Sequence, residues 1–314
     1  MKNLNVLSKL AMILFVVISF SSCSNDDDNG PQPFVATKTI VELAQATPEL
    51  SSLVTALTKY PDLVDLLSND GSYTVFAPNN DAFTALLGAI GQNSIEDIPE
   101  DVLKNVLQYH VYTTSALPAS AISTSTISMA NSEEASIVAD GTNAVTIANA
   151  TVIAVDIMAT NGIVHVVDSV MVPPSILPIV GTIVAPAYFN KDFTTLIAAV
   201  RAANPSVLEL LLSNGPSDGG LTLFAPTNAA FEAAGITDVN GADSILAYHV
   251  IDGTITASML PESGIAAAEV SGIGGNLYIT NADGAVSING TTTVTATDIT
   301  GSNGVVHIID RTLT

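Results

Sequence analysis

The 314-residue chain predicts two tandem domains of the α+β class. Two observations carry this: a set of phrases that occurs twice, and a switch from helical to strand periodicity inside each copy. Tyr73-Thr-Val-Phe-Ala-Pro-Asn-Asn-Asp-Ala-Phe83 returns as Leu221-Thr-Leu-Phe-Ala-Pro-Thr-Asn-Ala-Ala-Phe231. Val106-Leu-Gln-Tyr-His-Val111 returns as Ile245-Leu-Ala-Tyr-His-Val250, and Asn161-Gly-Ile-Val-His-Val-Val-Asp168 as Asn303-Gly-Val-Val-His-Ile-Ile-Asp310. The offsets of 148, 139 and 142 residues are too long for a solenoid unit and suit a whole domain.

In each copy the front half reads as helix. Leu50, Leu53, Val54 and Leu57 lie at i, i+3, i+4 and i+7, as do Phe193, Leu196, Ile197 and Val200. Pro61 and Pro205 then open short Leu-rich segments. A strand follows and ends at Pro78 or Pro226, which offer no N–H to a ladder. Asn79/Asn80 and Thr227/Asn228 suit the N-cap of the helix carrying Phe83 or Phe231. A second apolar helix delivers Tyr109-His110 or Tyr248-His249 to a strand start.

The back halves change period. Ser136-Ile-Val-Ala, Ala144-Val-Thr-Ile-Ala, Val152-Ile-Ala-Val and Ile163-Val-His-Val-Val are β-branched runs, with turn signals at Asp140-Gly141 and Asn161-Gly162. The second copy follows suit, turning at Asp283-Gly284 and Asn303-Gly304. Helices first and strands later define α+β rather than alternating α/β. Residues 35–172 and 179–314 are the expected domains, and the proline-rich 173–178 is a short, semi-rigid joint. The first copy is longer between its first two phrases, at Gly88 to Pro99 against Gly235 to Gly241, and ligand preferences are expected to diverge there.

The repeated phrases resemble the fasciclin family: a Thr-Val-Phe-Ala-Pro-x-Asn-x-Ala-Phe block, a Tyr-His pair after an apolar helix, and a closing Asn-Gly-x-x-His-x-Ile-Asp block. The resemblance implies a β-sandwich-like sheet core with several helices in each domain. It also implies adhesion or ligand binding outside the cytoplasm, without a shared enzymatic activity. The motif positions it marks as structural are Phe76, Pro78, Asn80, Phe83, His165 and Asp168, with Phe224, Pro226, Asn228, Phe231, His307 and Asp310 in the second copy. In animal members the Tyr-His region is associated with receptor recognition, which nominates Tyr109, His110, Tyr248 and His249 as ligand-binding candidates. The other reading of these four is architectural.

Residues 1–22 read as a secretion signal: Lys2 and Lys9 precede an apolar run, Leu10 to Phe20, that is too short to span a bilayer. Phe20-Ser-Ser-Cys23 resembles a bacterial lipoprotein cleavage site, making Cys23, the lone cysteine, the lipid attachment point. Phe20 departs from the usual aliphatic residue there, and an ordinary signal peptide is the alternative. Residues 23–34 then form an acidic, flexible tether. Its Ser-Asn-Asp-Asp-Asp run resembles the surface-export signal of Bacteroidetes-type lipoproteins. The expected place is the outer membrane, facing the cell exterior, with the periplasmic side as the alternative and the lipid as the sole membrane contact. With no second cysteine, both domains stand without internal disulfides.

The formal charge is −22. A surface so negative repels nucleic acid, which is excluded as a partner. Neutral glycans, matrix or other proteins, and cationic surfaces remain. The absence of tryptophan weakens sugar stacking. All four histidines fall inside the repeated phrases, and two per domain without cysteine make a poor zinc set, so no metal or cofactor is expected. Neither a Gly-x-Ser-x-Gly elbow nor a phosphate loop occurs, and an enzyme is not expected. The expectation is an anchored binding or adhesion protein. An accessory envelope lipoprotein that binds another bacterial protein is the alternative, and a hydrolase a remote one.

Overall fold

A computed structural model describes residues 36–139, 145–239, 242–259, 268–271, 273, 275–282 and 285–313. The signal, Cys23, the tether and the Asp140-Gly141 and Asp283-Gly284 turns lie outside the described residues. Residues from Ala36 onward form one compact unit.

The first repeat opens with helices α1 (Ile40–Gln45), α2 (Ser51–Leu57) and α3 (Pro61–Ser68), followed by strand β1 (Tyr73–Pro78). Helices α4 (Asn80–Ala89) and α5 (Glu100–Gln108) lead to the short β2 (Val111–Tyr112). Strands β3 (Ser125–Ser128), β4 (Glu134–Ala139), β5 (Val145–Ile147), β6 (Ala150–Ala159) and β7 (Gly162–Val167) complete it. The second repeat runs α6 (Ala185–Tyr188), α7 (Thr194–Ala202), α8 (Pro205–Leu212), β8 (Leu221–Pro226), α9 (Asn228–Ala233), α10 (Asp243–Tyr248) and β9 (Val250–Asp252). It ends with β10 (Ala268–Ser271), β11 (Asn276–Ala282), β12 (Ala285–Ile288), β13 (Thr292–Gly301) and β14 (Gly304–Ile309).

The expected stripes become α2 and α7: Leu53 and Leu57, like Leu196 and Val200, are buried. Pro61 and Pro205 take the first helical position of α3 and α8, where a missing N–H costs nothing. Asn79 and Thr227 are the N-caps of α4 and α9, accepting the N–H of Ala82 and Ala230. Asn80 and Asn228 work one position later and across the fold. Asn80 Oδ1 accepts Ser52 N–H and its Nδ2 donates to Pro48 O; Asn228 does the same with Thr195 N–H and Lys191 O. Each ties the start of one helix to the start of another.

Among the described residues each repeat holds a seven-stranded mixed sheet, ordered β2-β1-β7-β6-β5-β4-β3 in the first and β9-β8-β14-β13-β12-β11-β10 in the second. The first strand pairs in parallel with the last, Tyr73 opposite Gly162 and Leu221 opposite Gly304, and every other neighbour is antiparallel. The sheet doubles over. Phe76 and Val167 from its central strands meet Ala135, Ile137 and Ile147 from β4 and β5 in a small inner core. A sandwich is thus made by one curled sheet rather than two. Bulges in β6 between Val152 and Ile157, matched in β13 between Val294 and Ile299, supply the bend.

The helices cover the other sheet face and build a larger core that does not stop at the repeat boundary. Leu103 and Leu107 of α5, Ile176 of the joint, and Ile179, Phe189 and Leu196 of the second repeat belong to one buried apolar cluster. The longer Gly88–Pro99 segment, expected to carry ligand preference, packs on the second repeat. Ile90, Ile95 and Ile98 enter the shared core, and buried Gln92 donates Nε2 to Pro186 O at 3.2 Å. Lys191 adds a bond to Glu96 O at 3.2 Å and an ion pair with Asp97 at 3.7 Å. The joint is held as well: Ser175 N–H and Oγ bond the Glu133 carboxylate at 3.0 and 2.8 Å.

Candidate functional site

The Tyr-His pairs sit where a helix ends and an edge strand begins. His110 is the first residue after the last turn of α5 and its cap, Tyr109, and its carbonyl accepts Phe76 N–H at 3.0 Å. Its ring is 2% exposed and fully used. Nδ1 lies 2.7 Å from Val106 O and Nε2 accepts Met171 N–H at 2.9 Å. A carbonyl can only accept and an amide N–H can only donate, so the ring is neutral with its proton on Nδ1. The copy is faithful: His249 Nδ1 lies 2.7 Å from Ile245 O, and Nε2 accepts Leu313 N–H at 2.8 Å. Burial pushes both histidines down to about 4, against the pull of the helix carbonyl that each ring nitrogen bonds.

Tyr109 is buried, and its hydroxyl donates to Glu134 O, the first residue of β4, at 2.8 Å. Burial, then the Glu133 charge, pushes it up to about 12. Tyr248 is half-buried, and its hydroxyl donates to Asn276 O, the first residue of β11, at 2.9 Å. Each pair therefore pins the outer half of its sheet through the tyrosine and the segment that leaves the last strand through the histidine. Of the four candidates, Tyr248 alone keeps part of its ring at the surface.

The second histidines form another repeated arrangement. His165 is fully buried in β7, stacked on Phe76 with ring centroids 5.6 Å apart; His307 stacks on Phe224 at 5.5 Å. His165 Nε2 lies 2.8 Å from Leu117 O, and Nδ1 accepts Asp156 N–H at 3.3 Å. His307 bonds Ile255 O at 2.7 Å and Asp298 N–H at 3.4 Å. Burial pulls His165 below the ordinary histidine value. Asp156 and Asp298 occupy the bulges at φ of 58° and 59°, a left-handed conformation that aspartate tolerates better than most residues. Their carboxylates accept Ala119 N–H and Ala257 N–H, each at 2.7 Å. The segments 117–119 and 255–257 are thereby each held at two points. Sequence reasoning passed over both aspartates, although an Asp-Ile pair five residues before each Asn-Gly was visible in both copies.

Asn161 and Asn303 also do more than turn the chain. Asn161 accepts Ile40 N–H at 3.0 Å and donates to Leu67 O and Asn69 O at 2.7 and 2.9 Å. Asn303 accepts Ile183 N–H and donates to Leu211 O and Ser213 O. Gly162 and Gly304 follow because a Cβ there would collide with the Tyr73 or Leu221 carbonyl oxygen across the parallel ladder. Asp168 and Asp310 close the sheets, accepting Thr151 N–H at 2.8 Å and Thr293 N–H at 2.7 Å. Phe83 and Phe231 are buried in the helix-side core, and Pro78 and Pro226 end β1 and β8. Among the described residues no three of His, Cys, Asp or Glu converge into a set able to hold a metal ion.

These features define a tandem α+β module whose shared histidines, asparagines and aspartates are committed to backbone hydrogen bonds inside each copy. The Fasciclin domain family matches residues 48–173 and 191–314, and the chain belongs to that family. Protein sll1483 of Synechocystis is 40% identical over 136 residues, covering 43% of this chain and 74% of that protein. Human periostin is 30% identical over 271 residues, covering 82% of this chain but 30% of periostin. The solved FAS1 domain pair of the insect cell adhesion molecule fasciclin I spans 85% of this chain and 97% of that one. It does so at 18% identity and a TM-score of 0.37.

Proposed function

We propose that this is an extracytoplasmic adhesion or binding protein, anchored through Cys23 to the outer membrane and facing the cell exterior, whose tandem fasciclin domains hold a protein, matrix or glycan ligand. Fasciclin domains occur in adhesion and binding proteins. The observation that carries the reading is the fate of the repeated histidines. In His110, His165, His249 and His307 both ring nitrogens are consumed by backbone groups, so the shared motifs build a scaffold and leave recognition to its surface. The shared core presents the surfaces of two such domains in one body, which favours avidity over chemistry.

Binding of the purified protein to an array of glycans and matrix proteins tests the reading. Saturable binding to at least one class is expected, and none would overturn it in favour of an accessory envelope lipoprotein that binds another bacterial protein. The anchor is tested separately, since Cys23→Ser should abolish incorporation of labelled fatty acid and release the protein from membranes.

A further inference from the structure

The two repeats use the same bulged strand in the same register, yet they face solvent with different chemistry. Ile153, Val155 and Met158 of β6 are 54%, 48% and 45% exposed. Their counterparts on β13 are Thr295, Thr297 and Thr300, also exposed. The ladders match residue for residue, with Ala154 opposite Val166 and Ile157 opposite Val164 in one copy, Ala296 opposite Ile308 and Ile299 opposite Val306 in the other. Val138 on β4, 50% exposed, likewise stands where the second sheet has Thr280. The fold thus accepts threonine at every one of these positions. Three large aliphatic side chains within six residues of one strand are not needed to build it, and apolar surface gathered in this way marks a contact site.

Charge selects the occupant. The chain carries 30 acidic against 8 basic residues. Lys59, Lys104, Lys191 and Arg201 are already paired with carboxylates of the same chain. The strand itself bears one carboxylate, Asp156, and no cation. A second copy would bring the same negative field and be repelled, whereas a basic protein would be drawn in. Resting on the binding-protein reading above, we propose that β6 of the first repeat docks a basic protein whose apolar side chains cover Ile153, Val155 and Met158.

The test uses the triple variant Ile153→Thr/Val155→Thr/Met158→Thr, which installs the residues the second repeat already folds with and changes no charge. The probes are short peptides, one alternating Lys and Leu, the other alternating Lys and Ser, titrated into purified native and variant protein at low and high salt. The native protein should bind the Lys/Leu peptide at least about tenfold more tightly than the variant does, while the Lys/Ser peptide binds both equally and is lost at high salt. Equal Lys/Leu affinity for native and variant would mean charge alone, and would overturn the proposal. So would self-association of the native protein that the variant loses, because the occupant would then be a second copy. The array experiment reads glycan and matrix ligands on any face of the protein, so a failure here leaves that result standing.

Discussion

His110 Nε2 accepts the backbone N–H of Met171 at 2.9 Å, joining the end of α5 to the chain that leaves the sheet 61 residues later. His249 repeats the contact with Leu313. A proton on either Nε2 would face an N–H it cannot bond, so these buried rings stay neutral down to about pH 4. The unfolded chain takes up those protons near pH ~6.5. Stability is therefore complete above ~6.5 and falls as pH drops from there towards about 4, each ring contributing on the order of 3 kcal/mol. Urea unfolding at a series of pH values should show the decline. In a His110→Gln variant, less stable at neutral pH, the slope over that window should be shallower.

Replacing Tyr109 separates its hydroxyl from its ring. Tyr109→Phe loses the bond to Glu134 O and should cost about 1 kcal/mol, whereas Tyr109→Ala opens the inner core and should cost roughly 3–5 kcal/mol. Ligand binding measured on the folded Tyr109→Phe protein should equal that of the native chain. A selective loss of binding without loss of stability would return Tyr109 to the recognition surface.

Glycine substitutions of opposite sign follow from the space around each. Gly162→Ala drives a methyl into the Tyr73 carbonyl and should cost several kcal/mol, on the order of the large losses that follow backbone strain. Gly88 lies inside α4 with nothing within 4 Å of a would-be Cβ, and Gly88→Ala should stabilise by about 0.5–1 kcal/mol. Thermal melting of the two variants reads both signs.

The shared core predicts a single unfolding transition for both repeats, with calorimetric and van't Hoff enthalpies in agreement. Gln92→Ala leaves Pro186 O unpaired in a buried place and should cost about 1–3 kcal/mol, lowering the melting of both repeats together. Two resolved transitions in the native protein would contradict the common core.

Much of this fold was legible because local rules and the repeated phrases agree. The stripes of α2 and α7, the prolines opening α3 and α8, and the caps at Asn79 and Thr227 each follow from spacing or from one side chain's chemistry. What sequence hid was non-local. Nothing near Tyr73 announces a parallel partner at Gly162, and the partners of Asn161 lie 92 to 121 residues away in sequence. The Gly88–Pro99 segment was visible as an insertion, but its isoleucines could not say which repeat they would pack against. Tyr109, His110 and His249 failed to show their burial for a related reason. Tyr and His suit a surface site and a buried one equally well until their hydrogen-bond partners are known. Ile153 and Val155 read as ordinary strand residues, and nothing in that pattern told that they and Met158 would stand 54%, 48% and 45% exposed.

The parallel contact between β1 and β7 also sets a timetable for biosynthesis. Tyr73 has no partner on that side until Gly162, about 90 residues later, has been made. Each repeat must leave the ribosome almost whole before its central ladder can close, and the second imposes the same wait between Leu221 and Gly304. A nascent chain halted before the Asn161-Gly162 turn would hold a finished set of helix sequences around an open strand edge, the kind of surface that chaperones bind and aggregates recruit.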